Sequence, residues 1–155
     1  YEAENKTGNH ILDTILTTKS LNCQEKNIQM TCVADGKALD FLNPMDICSI
    51  FGNALDNAIT SAEKVENPEK RLIHVTVSQE KSFLRIKIEN SFQGELKIKN
   101  QLPVTTKADR RYHGFGVKSM KAVAEKYKGS LTVSAKDGWF ELRILIPLPE
   151  SEKII

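Results

Sequence analysis

The chain has 155 residues, 40% hydrophobic and 27% charged, and its 22 Lys and Arg against 20 Asp and Glu leave a formal net charge of +2. That is the size and composition of one soluble globular domain with a single core, and so even a balance argues against bulk attraction to nucleic acid or a membrane surface. The apolar runs are short, as in Arg143-Ile144-Leu145-Ile146-Pro147, whereas a spanning helix takes about 20 consecutive apolar residues.

The first residues, YEAENKTGNH, carry neither an initiator Met nor a signal-peptide pattern, so residues 1–8 are expected to be the remnant of a linker. From Asn9 to Asn27, Ile11, Leu12, Ile15, Leu16 and Cys23 recur at the three- and four-residue spacing of an amphipathic helix. Ile28 to Val33 alternates apolar with polar residues and predicts a short strand, which Asp35-Gly36 ends in a turn. Pro44 to Lys64 is the clearest helix: Asn43 suits its N-cap, Pro44 its first position and Asp46 its positively polarised first turn. Ile47, Phe51, Leu55, Ala58 and Ala62 form its core stripe, and Asn67-Pro68 opens a loop. His74 to Gln79 and Phe83 to Asn90 alternate as two strands of a hairpin joined through Glu80-Lys81-Ser82.

Between Ser91 and Tyr112 neither period survives, and so long an irregular connection inside a compact domain usually serves as a functional lid or is disordered. After Gly114 and Gly116 a helix is expected to resume with Val117, Met120, Val123, Ala124 and Tyr127 on one face and Gly129 as its C-terminal cap. Leu131 to Ala135 and Trp139 to Ile146 form a last hairpin, and Pro147 and Pro149 end the fold. Hairpin-joined strands are antiparallel, so the order predicts an α+β fold: a two-layer α/β sandwich with a mixed sheet of about five strands and about three helices on one face. Cys23, Cys32 and Cys48 have no C-x-x-C pairing and are expected to be reduced structural thiols.

Two constellations could carry chemistry. In GNALDNAITSAEK, Asn53 and Asn57 stand one turn apart on a face distinct from the core stripe. Asparagine disfavours helix interiors, and its carboxamide oxygen is a hard ligand suited to Mg²⁺, although the pair equally fits a solvated polar face. His113-Gly114-Phe115-Gly116-Val117-Lys118-Ser119 then opens a helix, an arrangement in which backbone N–H groups can approach a phosphate. Glycine permissiveness in a loop would account for the same residues.

Together, GNALDNAI on a helix, a strand ending in Ile88-Glu89-Asn90, the segment TTKADRRYHGFGVKSM, EKYKGSLTV and a last strand closing in Pro resemble the GHKL ATP-binding fold. That superfamily holds sensor histidine kinases, gyrase-type topoisomerases, heat-shock chaperones and mismatch-repair ATPases. HGFGVKSM and the opening TGNHILDTILTTK are most similar to the peptide-sensing, accessory-gene-regulator-like histidine kinases. The resemblance runs from about Gly8 to Pro149, and implies an ATP-binding catalytic domain over residues 9–149, with a lid at about 91–113 and a tail over 150–155.

The resemblance further implies that Asn57 coordinates Mg²⁺ at the ATP phosphates and that Asn53 supports it from the preceding turn. Hydrolytic members carry a glutamate general base where Asn53 stands; an amide cannot take a proton from water at neutral pH, so such a site retains ATP for transfer. Gly114, Phe115, Gly116, Val117 and Lys118 would line the phosphates, while Thr106, Lys107 and His113 belong to the lid. Asn90 falls where most histidine kinases place an aspartate that accepts from the adenine amino group; its oxygen can still accept, without charge assistance. Thr60 or Ser61 replaces a basic residue common one turn beyond the metal-binding Asn, leaving Lys107 or Lys118 as the phosphate partner.

The implied function is transfer of the γ-phosphoryl of Mg-ATP to a histidine on a dimerisation domain outside this chain, with a response regulator downstream. The parent would be a membrane-anchored homodimer with this domain in the cytoplasm. His10, His74 and His113 are not expected to be the phosphoacceptor. The altered adenine position also admits a degenerate nucleotide-binding interaction module, and the superfamily a serine kinase of the anti-sigma type.

Overall fold

In the computed structural model, which describes residues 6–94, 98–99, 102–103 and 113–150, the period-two segments form a single mixed sheet. Strands β1 (Gln29–Ala34), β2 (Leu72–Glu80), β3 (Phe83–Ser91), β6 (Ser130–Lys136) and β7 (Trp139–Pro147) lie in the order β1-β2-β3-β7-β6. β1 runs parallel to β2, and every other pairing is antiparallel. The register sets Val75 beside Ile88 and Val77 beside Ile86, and continues Ile88 to Leu142 and Ile86 to Ile144. These buried residues make one apolar face, while His74, Lys87, Glu89, Glu141 and Arg143 alternate onto the other.

Helices α1 (His10–Glu25), α2 (Pro44–Ala62) and α3 (His113–Lys126) cover the apolar face, giving the expected two-layer sandwich. The α2 stripe Ile47, Phe51, Leu55, Ala58 and Ala62 is buried as expected, and Ile50, Ala54 and Ile59 widen it. The Asn43 side chain accepts from the Met45 N–H, and Asn9 caps α1 by accepting from Leu12. No helix among the described residues is long and apolar enough to cross a membrane. The cysteines are free; burial pushes the Cys23 and Cys32 thiols up to about 11, where they carry little thiolate at neutral pH.

The turn expected at Asp35-Gly36 is a 3₁₀ turn over Gly36–Leu39, whose Gly36 N–H donates to the Thr7 carbonyl. Two local expectations are corrected. Within the segment expected to be wholly irregular, β4 (Ile98–Lys99) pairs with β5 (Leu102–Pro103). These are two-residue strands, too short for a periodicity to register in sequence.

The second correction concerns Gly129, which is not the left-handed cap of α3. The Lys128 N–H donates to Glu125 and the Gly129 N–H to Ala124, a Schellman pattern that places Lys128 at the left-handed position, φ 65°. A lysine Cβ is crowded there at a cost of roughly 1–2 kcal/mol. Lys128→Gly is therefore expected to stabilise the domain by about 1 kcal/mol, read as a higher midpoint in urea denaturation with an unchanged slope.

Candidate functional site

The two asparagines predicted to act together occupy successive turns of α2, and Asn53 faces α3. A side chain at Gly116 would meet Asn53: a Cβ there would lie 3.1 Å from Asn53 Oδ1 and 3.4 Å from its Cβ and Cγ. Asn53 Nδ2 donates to the Ser49 carbonyl at 2.7 Å, which fixes the amide plane one turn back along α2. Ser49 Oγ lies 3.3 Å from Ser119 Oγ, and Asp46 meets Lys126 and Tyr127. As the partner of α2 steps from 53 to 49 to 46, that of α3 steps from 116 to 119 to 126 and 127, so the helices run antiparallel. The start of α3 is thereby brought to Asn53, with Asn57 on the next turn.

α3 begins at His113, not after Gly116 as the sequence suggested. Gly114 and Gly116 therefore belong to its first turn, in which the N–H groups ahead of Gly116 have no partner within the helix and carry the positive end of its dipole. Gly116 lets that turn approach α2 closely, which a G-x-G pattern does not distinguish from loop flexibility. Val117 is buried and Lys118 exposed; His113, Gly114 and Phe115 lie in the helix backbone. Thr106 and Lys107 fall outside the described residues.

Asn90 enters from the end of β3 on the helix-facing side, only 2% exposed, and its Nδ2 donates to the Ser91 carbonyl at 2.9 Å. That end of the sheet is tied to the loop after α2, where the Glu66 N–H donates to Gln93 Oε1, and to the β6–β7 turn, where the Phe92 N–H donates to the Gly138 carbonyl. Thr60 and Ser61 are half-buried on α2, His10 is exposed, and His74 stacks on Trp139 at 5.1 Å between ring centroids.

Sequence reasoning missed Asp46, Ser49, Ser119, Lys126 and Tyr127. Its available signal was the polar stripe Asp46, Ser49, Asn53, Asn57 along α2, at the spacing of one helix face. The Asp46 carboxyl is held below its ordinary range by hydrogen bonds from Lys126 and from Tyr127. Its contribution to stability is therefore complete above the ordinary aspartate range and lost only as pH falls through the lowered value. Burial, then the bond to Asp46, pushes the Tyr127 hydroxyl up, so it stays protonated and able to donate at neutral pH.

The arrangement offers a neutral oxygen pair on α2, a helix N-terminus built with glycines, and a buried carboxamide at a strand end. No cluster of His, Cys, Asp and Glu able to hold a metal occurs among the described residues, and the carboxamide oxygens of Asn53 and Asn57 are hard ligands of the kind that suits Mg²⁺.

Compared with known proteins, the chain matches the model of a GHKL domain family, HATPase_c_5, over residues 42–147, from just before α2 to the end of β7. It is 23% identical over 137 residues to the "Probable C4-dicarboxylate sensor kinase" of Halalkalibacterium halodurans, an alignment covering 84% of this chain and 26% of that protein. The chain thus spans about a quarter of the length of that relative. The catalytic domain of histidine kinase ThkA, in a nucleotide-free form, superposes with a TM-score of 0.65 at 17% identity, covering 90% of this chain and 93% of that one. Full-length ShkA, solved in complex with AMPPNP, gives 0.65 at 16% identity over 92% of this chain and 30% of its own. At these identities the structures establish a shared fold.

Proposed function

This chain belongs to the GHKL domain family, and from that premise we propose that it is the ATP-binding catalytic domain of a two-component sensor histidine kinase. It would transfer the γ-phosphoryl of Mg-ATP to a histidine on a dimerisation domain outside this chain. A response regulator would act downstream, and the parent would be a membrane-anchored homodimer with this domain in the cytoplasm.

The observation that carries the reading is the close approach of Gly116 to the Asn53 carboxamide. It brings the start of α3, whose first main-chain N–H groups have no partner within the helix, to the helix that bears Asn57, a geometry suited to an anionic ligand with a divalent ion. Asn57 would hold Mg²⁺ through its carboxamide oxygen, with remaining ligands from phosphate and water. When bound, the ion would neutralise phosphate charge and orient the phosphate chain.

The first-turn N–H groups of α3, that of Gly114 among them, would bind phosphate oxygens, and exposed Lys118 would add charge nearby. Asn90 would accept from the adenine amino group, its own N–H₂ already directed to Ser91. Asn53, held by Ser49, would position Asn57's surroundings without acting as a base, so water is not activated and the γ-phosphoryl is retained for transfer. The relative described as a sensor kinase and the AMPPNP complex of a similarly folded kinase support this reading.

Calorimetric titration of the purified chain tests it. A saturable one-to-one heat with Mg-ATP that disappears in EDTA is expected; absence of binding would overturn the reading.

A further inference from the structure

We infer that Tyr127 and Asp46 are a positioning pair that sets the axial register of α3 on α2, and so places the Gly116 turn against Asn53; its bearing on nucleotide rests on the function proposed above.

Tyr127 is the first residue after α3, at the end remote from Gly116. Its hydroxyl donates to Asp46 Oδ2 at 2.5 Å and accepts from the Asn43 N–H at 2.9 Å. One phenol thus joins the C-terminus of α3 to both the capping residue and the first turn of α2. Lys126 Nζ reaches the same carboxylate oxygen at 2.7 Å, and Phe41 meets the Tyr127 ring edge-on at 6.1 Å. Asp46 is buried, so these bonds are partly shielded from water.

Ala54 and Ala58 of α2 and Val117, Met120 and Ala124 of α3 are buried in the common core, where apolar contacts attract without direction. Hydrogen bonds are directional. Among the described residues, polar ties between these helices include the Ser49–Ser119 contact and the Tyr127–Asp46–Lys126 cluster. Asp46 and Asn53 are separated by about 10 Å of helix at 1.5 Å per residue, and a rigid helix carries a displacement at one end to the other.

Tyr127→Phe keeps the ring against Phe41 and removes only the hydroxyl. We expect an unchanged circular dichroism spectrum, a displaced Gly116 amide in the nucleotide-free ¹H–¹⁵N spectrum, and Mg-ATP affinity lowered about five- to tenfold, the equivalent of one net hydrogen bond. Asp46→Asn, which retains an acceptor for Tyr127, should lose less. Val77→Ala, remote in β2, supplies a loss of stability without a loss of affinity. A Tyr127→Phe protein with the Gly116 amide unmoved, or with no greater affinity loss than Val77→Ala, overturns the inference. If the unmodified chain does not bind Mg-ATP, the proposed function fails, and the Gly116 amide alone decides the positioning role.

Discussion

Asn57→Ala is expected to lower affinity for Mg-ATP by about 10- to 100-fold, a range that even indirect supporters of a metal site command. The substitution removes the one side chain proposed to contact the ion. It leaves Asn53 anchored to Ser49 and the Gly116 turn in place. Alanine is the better helix former by about 0.5 kcal/mol, so lost affinity would not reflect a broken helix. The distinguishing measurement is calorimetry with and without EDTA: the unmodified chain loses affinity when the metal is removed, whereas the variant is nearly indifferent to it. A variant that keeps strong, metal-dependent binding would remove Asn57 from the site.

The asparagine pair was legible because asparagine is out of place inside a helix, and because Asn53 and Asn57 keep clear of the Phe51–Leu55–Ala58 stripe. The sheet was legible for a similar reason: alternation in β2, β3 and β7 records that only one face is covered. What sequence could not display are relations between elements distant in the chain. Asp46 read as a helix-dipole residue, and nothing local marks Tyr127, a core-facing aromatic by its spacing, as its partner 81 residues on. The start of α3 was misplaced because glycine lowers the helical signal, while the packing of that turn against Asn53 is tertiary. Gly129 was assigned the more frequent role of a glycine after a helix, although its environment sets a stricter one.

Gly129→Ala is expected to be the most destabilising of these substitutions. An added Cβ would lie 2.3 Å from the Leu145 carbonyl oxygen and 3.0 Å from the Ile146 Cα, both backbone atoms of β7. That strand is hydrogen-bonded on both sides, to β3 and β6, and cannot retreat without disturbing either ladder. Overpacking of this kind costs about 3 kcal/mol, which for a domain of this size lowers the thermal midpoint by roughly 6–12 °C. Differential scanning calorimetry would show it. A midpoint within about 2 °C of the unmodified protein would mean that β7 yields more readily than its two ladders imply. Set beside Lys128→Gly, the experiment separates adjacent residues with opposite expected signs: one relieves a left-handed lysine, the other fills a contact that only glycine allows.

Phosphoryl transfer to histidine is tested by supplying the parent protein's dimerisation hairpin in trans with ATP radiolabelled at the γ-phosphate and Mg²⁺. Label is expected on the hairpin, acid-labile, stable to alkali, and lost both with Asn57→Ala in this domain and on replacing the acceptor histidine. Binding of ATP without label on the hairpin, or label that survives acid as a phosphoserine would, contradicts transfer to histidine.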